Sequence, residues 1–145
     1  MDDAQGSQPH LPQENASLEK ALTPAIRAGA LMFASGGEID KVQRTIASML
    51  RGHALEHIHI LVAHNALMVT VVQHGEVMTQ VQRIDGHGVN FNTIAEVYRL
   101  AKKAHAGRFT PDALRAKMEV IRRTGHINPR TLTAACAALA CGAFA

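Results

Sequence analysis

The spacing of apolar residues changes twice along this chain, and the two changes restrict the folds that it can adopt. From His57 to Ile84 apolar residues, many of them β-branched, alternate with others at the period of half-buried strands. On both sides of this segment the apolar residues recur every three or four positions, which is the period of amphipathic helices. The pattern predicts a two-layer α+β fold in the order α-α-β-β-β-α-α, with the helices packed on a small antiparallel three-stranded sheet.

Capping residues predict the limits of the first two helices. Thr23 and Pro24 pair an N-cap residue with the residue favoured at the first helical position, and Ser35-Gly36-Gly37 is a typical helix end. Ser35 and Glu38 have the spacing of a capping box for the second helix. We expect that second helix to end at Arg51-Gly52.

Tight turns divide the alternating segment into three strands. The strands are predicted at residues 57–63, 67–72 and 77–84, separated by turns at 64–66 and 73–76. Because turns this short join neighbouring strands in opposite directions, we expect an antiparallel meander.

Two further helices are predicted after the Gly-rich segment Asp85-Gly86-His87-Gly88. The first runs from about Asn90, its expected N-cap, to His105, with Val97 and Tyr98 on its inward face. Thr110-Pro111 repeats the cap and proline of the first helix and is expected to start the last one.

The segment from Thr131 to Ala145 is apolar and carries no charge. A helix that spans a bilayer needs about 20 such residues, so we expect this run to be the beginning of a first transmembrane helix that is truncated here. Three units are therefore predicted: a mobile polar tail at 1–21, an α/β domain at 22–126, and the start of the membrane helix at 127–145.

Charge is distributed unevenly along the chain. The net charge is +3, yet residues 99–130 carry nine Lys or Arg against two acids, directly before the apolar run. The positive-inside rule then places the domain in the cytoplasm. Aromatic residues make up only 3% of the chain and do not interleave with these charges, which argues against nucleic acid as a partner.

Further features of the sequence indicate the cellular compartment of the protein and a candidate site for anions. The polar, acidic start of the chain does not resemble a signal peptide. Both cysteines, Cys136 and Cys141, lie in the apolar run and fit a reducing compartment or thiols buried in lipid. A basic cluster near the predicted membrane is a candidate for attracting a dicarboxylate or acidic lipid heads: Lys102, Lys103, Arg122 and Arg123.

The densest polar cluster contains His53, Glu56, His57, His59 and His64. His57 and His59 are two apart on a predicted strand, so their side chains leave the same face, a spacing that metal sites use. No Cys, Asp or second His pair completes a ligand set, and the histidines are interpreted as the solvent face of a half-buried strand. We therefore expect no metal and no cofactor, with His57 and His59 as the nearest candidates for zinc or nickel ligands.

The sequence shows no recognisable catalytic arrangement. Glu38 and Asp40 suit a capping box and a helix N-terminus, and Asn90 suits an N-cap. There is no Ser/His/Asp set at recognisable spacing and no P-loop. These observations predict that the protein is not an enzyme.

Four short motifs nevertheless occur in a characteristic order. They are ASGGE at residues 34–38, HNALMVT at 64–70, GHGVN at 86–90 and NPR at 128–130. In this order the chain resembles the threonine/serine exporter (ThrE) family over about residues 22–145. The Asn65-Ala66-Leu67 stretch makes it most similar to the YjjP-like branch, which lies in the bacterial inner membrane and is linked to succinate export.

The resemblance implies a cytoplasmic N-terminal domain followed by about five membrane helices. It implies export of a small polar metabolite, either threonine and serine or a dicarboxylate such as succinate. The implied partners are the lipid bilayer, a second small membrane subunit and further copies of the same chain. Four motif residues are candidates for substrate binding or gating: Glu38, Asn65, Arg83 and Asn90. His87 and Gly37 depart from the family pattern, in which Arg and Ala are common.

Two alternatives from other functional classes remain at this point. A membrane-anchored hydrolase domain would use Glu38 or His59, and a structural oligomerisation module would need neither. The capping and turn interpretation of the four motif residues also remains.

Overall fold

The computed structural model describes residues 12–106 and 109–124, together with positions 134, 138, 139 and 142. Within residues 12–106 and 109–124, four helices and three strands follow one another in the predicted order, which confirms the α+β fold. Their bounds are α1 Pro12–Ala34, α2 Ile39–Leu50, β1 His57–Val62, β2 Ala66–Gln73, β3 Glu76–Arg83, α3 Phe91–His105 and α4 Pro111–Thr124.

The three strands form an antiparallel sheet with β2 in the centre. Alternate residues of β2, namely Leu67, Val69 and Val71, are fully buried on the inner face, where the helices pack. Two side-chain hydrogen bonds also join the layers, from Gln43 Nε2 to the Ile60 carbonyl and from Gln80 Nε2 to Thr23 Oγ1, each 3.1 Å long. The period of two in the sequence thus separates a core face from an outer face, as predicted.

Helix α1 begins at Pro12, well before the Thr23-Pro24 pair that was predicted to start it. Leu18 and Leu22 are 2% and 0% exposed, and burying two leucines contributes about 3–6 kcal/mol. This offsets the roughly 3 kcal/mol that a proline inside a helix costs. The predicted mobile tail is therefore wrong for residues 12–21, while residues 1–11 lie outside the described part of the chain.

Helix α1 ends in a Schellman motif, as Ser35-Gly36-Gly37 predicted. Gly36 N–H donates to the Phe33 carbonyl and Gly37 N–H to the Met32 carbonyl, both at 2.9 Å. Gly36 has φ +87°, a left-handed conformation that favours glycine. These bonds satisfy carbonyls at the end of α1 and turn the chain into α2.

The predicted capping box at the start of α2 is wrong. The N-cap residue is Glu38, whose side chain makes no capping hydrogen bond. Ser35 is 7% exposed and belongs to the end of α1. The Schellman turn uses Ser35, Gly36 and Gly37 before α2 can begin, and α2 then ends at Leu50, as predicted.

The last two helices begin where their capping residues predicted. Asn90 Oδ1 accepts a hydrogen bond from Thr93 N–H at 3.1 Å, and Thr110 Oγ1 accepts one from Ala113 N–H at 3.3 Å. Val97 is buried as predicted, whereas Tyr98 is 58% exposed and not on the inward face.

Among residues 12–106 and 109–124 no helix combines the length and the apolar character that a bilayer crossing needs. The predicted start of a membrane helix at 127–145 lies almost entirely outside the described residues, and so do Cys136 and Cys141.

Candidate functional site

Three segments that are far apart in the sequence meet at one end of the sheet. They are residues 34–38 between α1 and α2, residues 63–66 between β1 and β2, and residues 84–90 between β3 and α3. We call this region the motif junction, because these segments contain three of the four motifs found in the sequence, wholly or in part.

Main-chain hydrogen bonds hold the motif junction together. Gly88 N–H donates to the Ala34 carbonyl at 2.8 Å, Asn90 N–H to the Ser35 carbonyl at 2.9 Å, and Ile84 N–H to the Asn65 carbonyl at 2.9 Å. These bonds join backbone atoms, so no side chain takes part in them, although the turn at the end of α1 needs its glycines.

An aromatic stack crosses the motif junction. The imidazole of His87 lies parallel to that of His64, with 4.4 Å between ring centroids and 3° between planes. Phe33, one residue before the junction, contacts His87 edge-on at 5.8 Å. Sequence reasoning did not pair these rings, and only the order of the motifs along the chain hinted that their segments belong together.

Asn90 and Asn65 both lie within the motif junction. Asn90 uses its side chain to cap α3, so the capping interpretation is correct for this residue. Asn65 lies in the β1–β2 turn, where its carbonyl accepts the bond from Ile84 N–H and its side chain is exposed.

Arg83 lies directly beside the motif junction at the end of β3. It pairs in register with Ala66, the neighbour of Asn65, and its Nε lies 2.8 Å from Asp85 Oδ1. Both side chains of this ion pair are largely exposed. A surface pair of this kind contributes little to stability, so Arg83 can exchange Asp85 for another anion at small cost.

Glu38 is held at the outer edge of the junction. Its Oε1 lies 3.1 Å from Lys41 Nζ, and its side chain is 70% exposed. Asp40, the other carboxylate considered for a site, pairs with Arg44 one turn further along α2. The four candidates Glu38, Asn65, Arg83 and Asn90 therefore lie in or next to one junction, and their role in binding or gating stays a prediction.

The histidine cluster is divided by the fold. His57 and His59 lie on the exposed outer face of β1, with ring centroids 6.3 Å apart, as the strand period predicted. His53 is half-buried, and burial lowers its pKa below the usual 6.5. Glu56 braces the β2–β3 turn by accepting a hydrogen bond from Gly75 N–H at 3.2 Å. In the described part of the chain no group of three or more His, Cys, Asp or Glu residues is placed to hold a metal ion.

The basic cluster also divides into two parts. Lys102 and Lys103 are exposed in the last turn of α3. Arg122 and Arg123 both bind the carboxylate of Glu119 on α4, and their hydrogen bonds lower its pKa to about 2. Glu119 therefore stays ionised at neutral pH.

The motif junction and the adjoining Arg83 present amide, guanidinium, carboxylate and imidazole groups on a hydrogen-bonded backbone framework. Such groups form hydrogen bonds with a small polar molecule and orient it, which is what recognition requires.

Comparison with known proteins identifies the family. A model of the ThrE family, described as "Putative threonine/serine exporter", matches residues 24–145. Neither a curated protein nor a solved structure gives a match. Membership of an exporter family implies association with a membrane and a small-molecule substrate. Since the match spans most of the sequence and includes the whole motif junction, the chain belongs to the ThrE family of threonine/serine exporters.

Proposed function

We propose that this chain is the cytoplasmic domain of an exporter subunit at a bacterial inner membrane, with the motif junction as its site of substrate binding or gating. Within the family we place it nearest to the YjjP-like branch, with a dicarboxylate as the alternative substrate to threonine and serine. The proposed partners are a second small membrane subunit and further copies of the chain.

The convergence of the motifs is the observation that carries this proposal. Three of the four sequence motifs come together through main-chain hydrogen bonds within the region that the family match covers. A shared structural role explains the caps and turns. It does not explain why exposed polar side chains, those of Glu38, Asn65 and Arg83, gather at the same place.

The hydrolase alternative finds less support. Glu38 lies at the start of α2, a helix of the layer that covers the inner face of the sheet, and His59 lies on the outer face of β1. A carboxylate and an imidazole on opposite sides of a sheet do not form an acid–base pair.

Export is tested in proteoliposomes that contain the full-length protein and its small partner subunit. We expect labelled threonine or succinate to leave loaded vesicles down a gradient. Glu38→Gln should lower the initial efflux rate of threonine about tenfold, the effect of losing roughly one charge-assisted hydrogen bond from the substrate's ammonium group.

Glu96→Gln is the matched control, because Glu96 is also an exposed carboxylate paired with a cation three residues further along its helix. Efflux of neither substrate would refute the transport assignment. Equal rates for the Glu38 and Glu96 variants would refute the role of the motif junction while leaving the assignment intact.

A further inference from the structure

A cleft of about 620 Å³ lies beside the motif junction, bounded by α1, by α4 and by the end of β3. Its volume lies in the range of pockets that bind small molecules, about 300–1,000 Å³. Side chains that present only carbon and sulfur atoms line part of it, among them Leu31, Ile84 and Met118.

Cations outnumber anions around the cleft. Among the described residues, its charged lining consists of Arg27, Arg83, Arg115 and Arg122 against Asp85 and Glu119. The balance is two positive charges beside an apolar wall, which concentrates the electrostatic field in the cleft.

Both acidic residues of the lining already have ion-pair partners. Asp85 binds Arg83 at 2.8 Å, and Glu119 binds Arg122 at 2.7 Å as well as Arg123, which lies outside the lining. The hydrogen bonds from Arg122 and Arg123 lower the pKa of Glu119, so its carboxylate is charged and offsets one cation of the cleft.

Arg27 on α1 and Arg115 on α4 carry the excess charge. Within residues 12–106 and 109–124 neither guanidinium has an ion-pair partner, although both line the cleft. A guanidinium presents a planar fork of donors that matches a carboxylate in two parallel hydrogen bonds.

We propose that the cleft between α1, α4 and β3 is a binding site for a small aliphatic carboxylate, with Arg27 and Arg115 as the residues that bind its acidic groups. The charge balance favours a dianion over a monoanion, and the apolar wall favours a ligand with a hydrocarbon body. A ligand bound in the cleft would link α4 to α1, because the two arginines lie on different helices. The inference concerns binding alone and does not depend on the transport assignment.

Isothermal titration calorimetry of the 145-residue chain in detergent tests this site with three probes. Glutarate is an aliphatic dianion, butyrate an aliphatic monoanion and sulfate a dianion without a hydrocarbon body. We expect saturable binding in the order glutarate above butyrate and sulfate, weakened by added salt because exposed charges are screened. Arg27→Gln and Arg115→Gln should each weaken glutarate binding about tenfold or more, as the loss of a charge-assisted hydrogen bond predicts.

Arg44→Gln is the matched control, since Arg44 is an exposed arginine on α2, away from the cleft. It should bind glutarate as the unaltered chain does. Absence of saturable glutarate binding below about 10 mM would overturn the proposal, as would sulfate binding as tightly as glutarate. Equal affinity in all three variants would also overturn it. The measurement needs no membrane gradient, so its outcome is separate from that of the efflux experiment.

Discussion

Three aromatic rings from different segments form one cluster beside the exposed polar candidates: those of Phe33, His64 and His87. Each has an unremarkable local context, at a helix end, in a hairpin turn and in a Gly-rich loop. Main-chain bonds bring them together, from Gly88 and Asn90 to the end of α1 and from Ile84 to Asn65. The sequence shows which chemical groups the residues carry, but it does not show which of these groups contact each other.

The half-buried His53 should make stability depend on pH. Burial lowers its pKa in the folded state below 6.5, so the unfolded chain binds the proton more readily. The free energy of unfolding should therefore fall as the pH drops through 6.5 towards the folded pKa, and this contribution should be fully present only above 6.5. Urea unfolding at pH values from about 7.5 down to about 5 measures it.

His53→Gln should lose less unfolding free energy than the unaltered chain over that interval, because the variant cannot bind the proton in either state. His59→Gln, a change on the exposed face of β1, should follow the unaltered chain. A steeper pH dependence in the His53 variant than in the unaltered chain would contradict the assignment.

At the scale of elements, α1 shows why a local signal can mislead. Thr23-Pro24 is a good helix start, yet the helix continues through it because Leu18 and Leu22 reach the core. The other end of α1 was predictable, since the Schellman turn depends only on residues adjacent in the chain.

In this chain a side chain at Gly37 should weaken that turn, although Ala is common at this position in the family pattern. A Cβ added there would lie 2.7 Å from the Met32 carbonyl oxygen and 2.9 Å from Met32 Cγ. Since the carbonyl belongs to the main chain of α1, Gly37→Ala should reduce the free energy of unfolding by about 1–3 kcal/mol. Gly52→Ala is the control, because a Cβ at Gly52 would meet nothing within 4 Å. Coincident urea midpoints for the two variants would show that the turn relaxes without cost.

At the scale of the whole molecule, buried side chains are distributed unevenly between the elements. Leu67, Val69 and Val71 of the central strand are 0% exposed. Helix α4 inserts only Leu114 and Met118 among its buried residues and places Val120 at 58% exposure. Among the four helices described, α4, which closes one side of the cleft, thus has the fewest buried apolar side chains.

We therefore expect α4 to open before the rest of the molecule. Its amide hydrogens should exchange through a sub-global opening, with lower protection and a weaker denaturant dependence than those of β2. Native-state hydrogen exchange with residue resolution measures both. If the slowest amides of α4 exchange only by global unfolding, as those of β2 are expected to do, the helix is an integral part of the cooperative unit. If glutarate occupies the cleft, it should raise protection in α4 more than in β2.

The amino-acid sequence by itself determined the order of the elements, the strand turns, the caps of α3 and α4, and the end of α1. Each of these depends on residues within a few positions of one another, where periodicity and backbone preference decide. The tertiary structure alone decided that α1 begins at Pro12, that the motif segments meet, and that a cationic cleft lies beside them. These features depend on burial and hydrogen bonds between distant segments, which take effect only when the chain has packed.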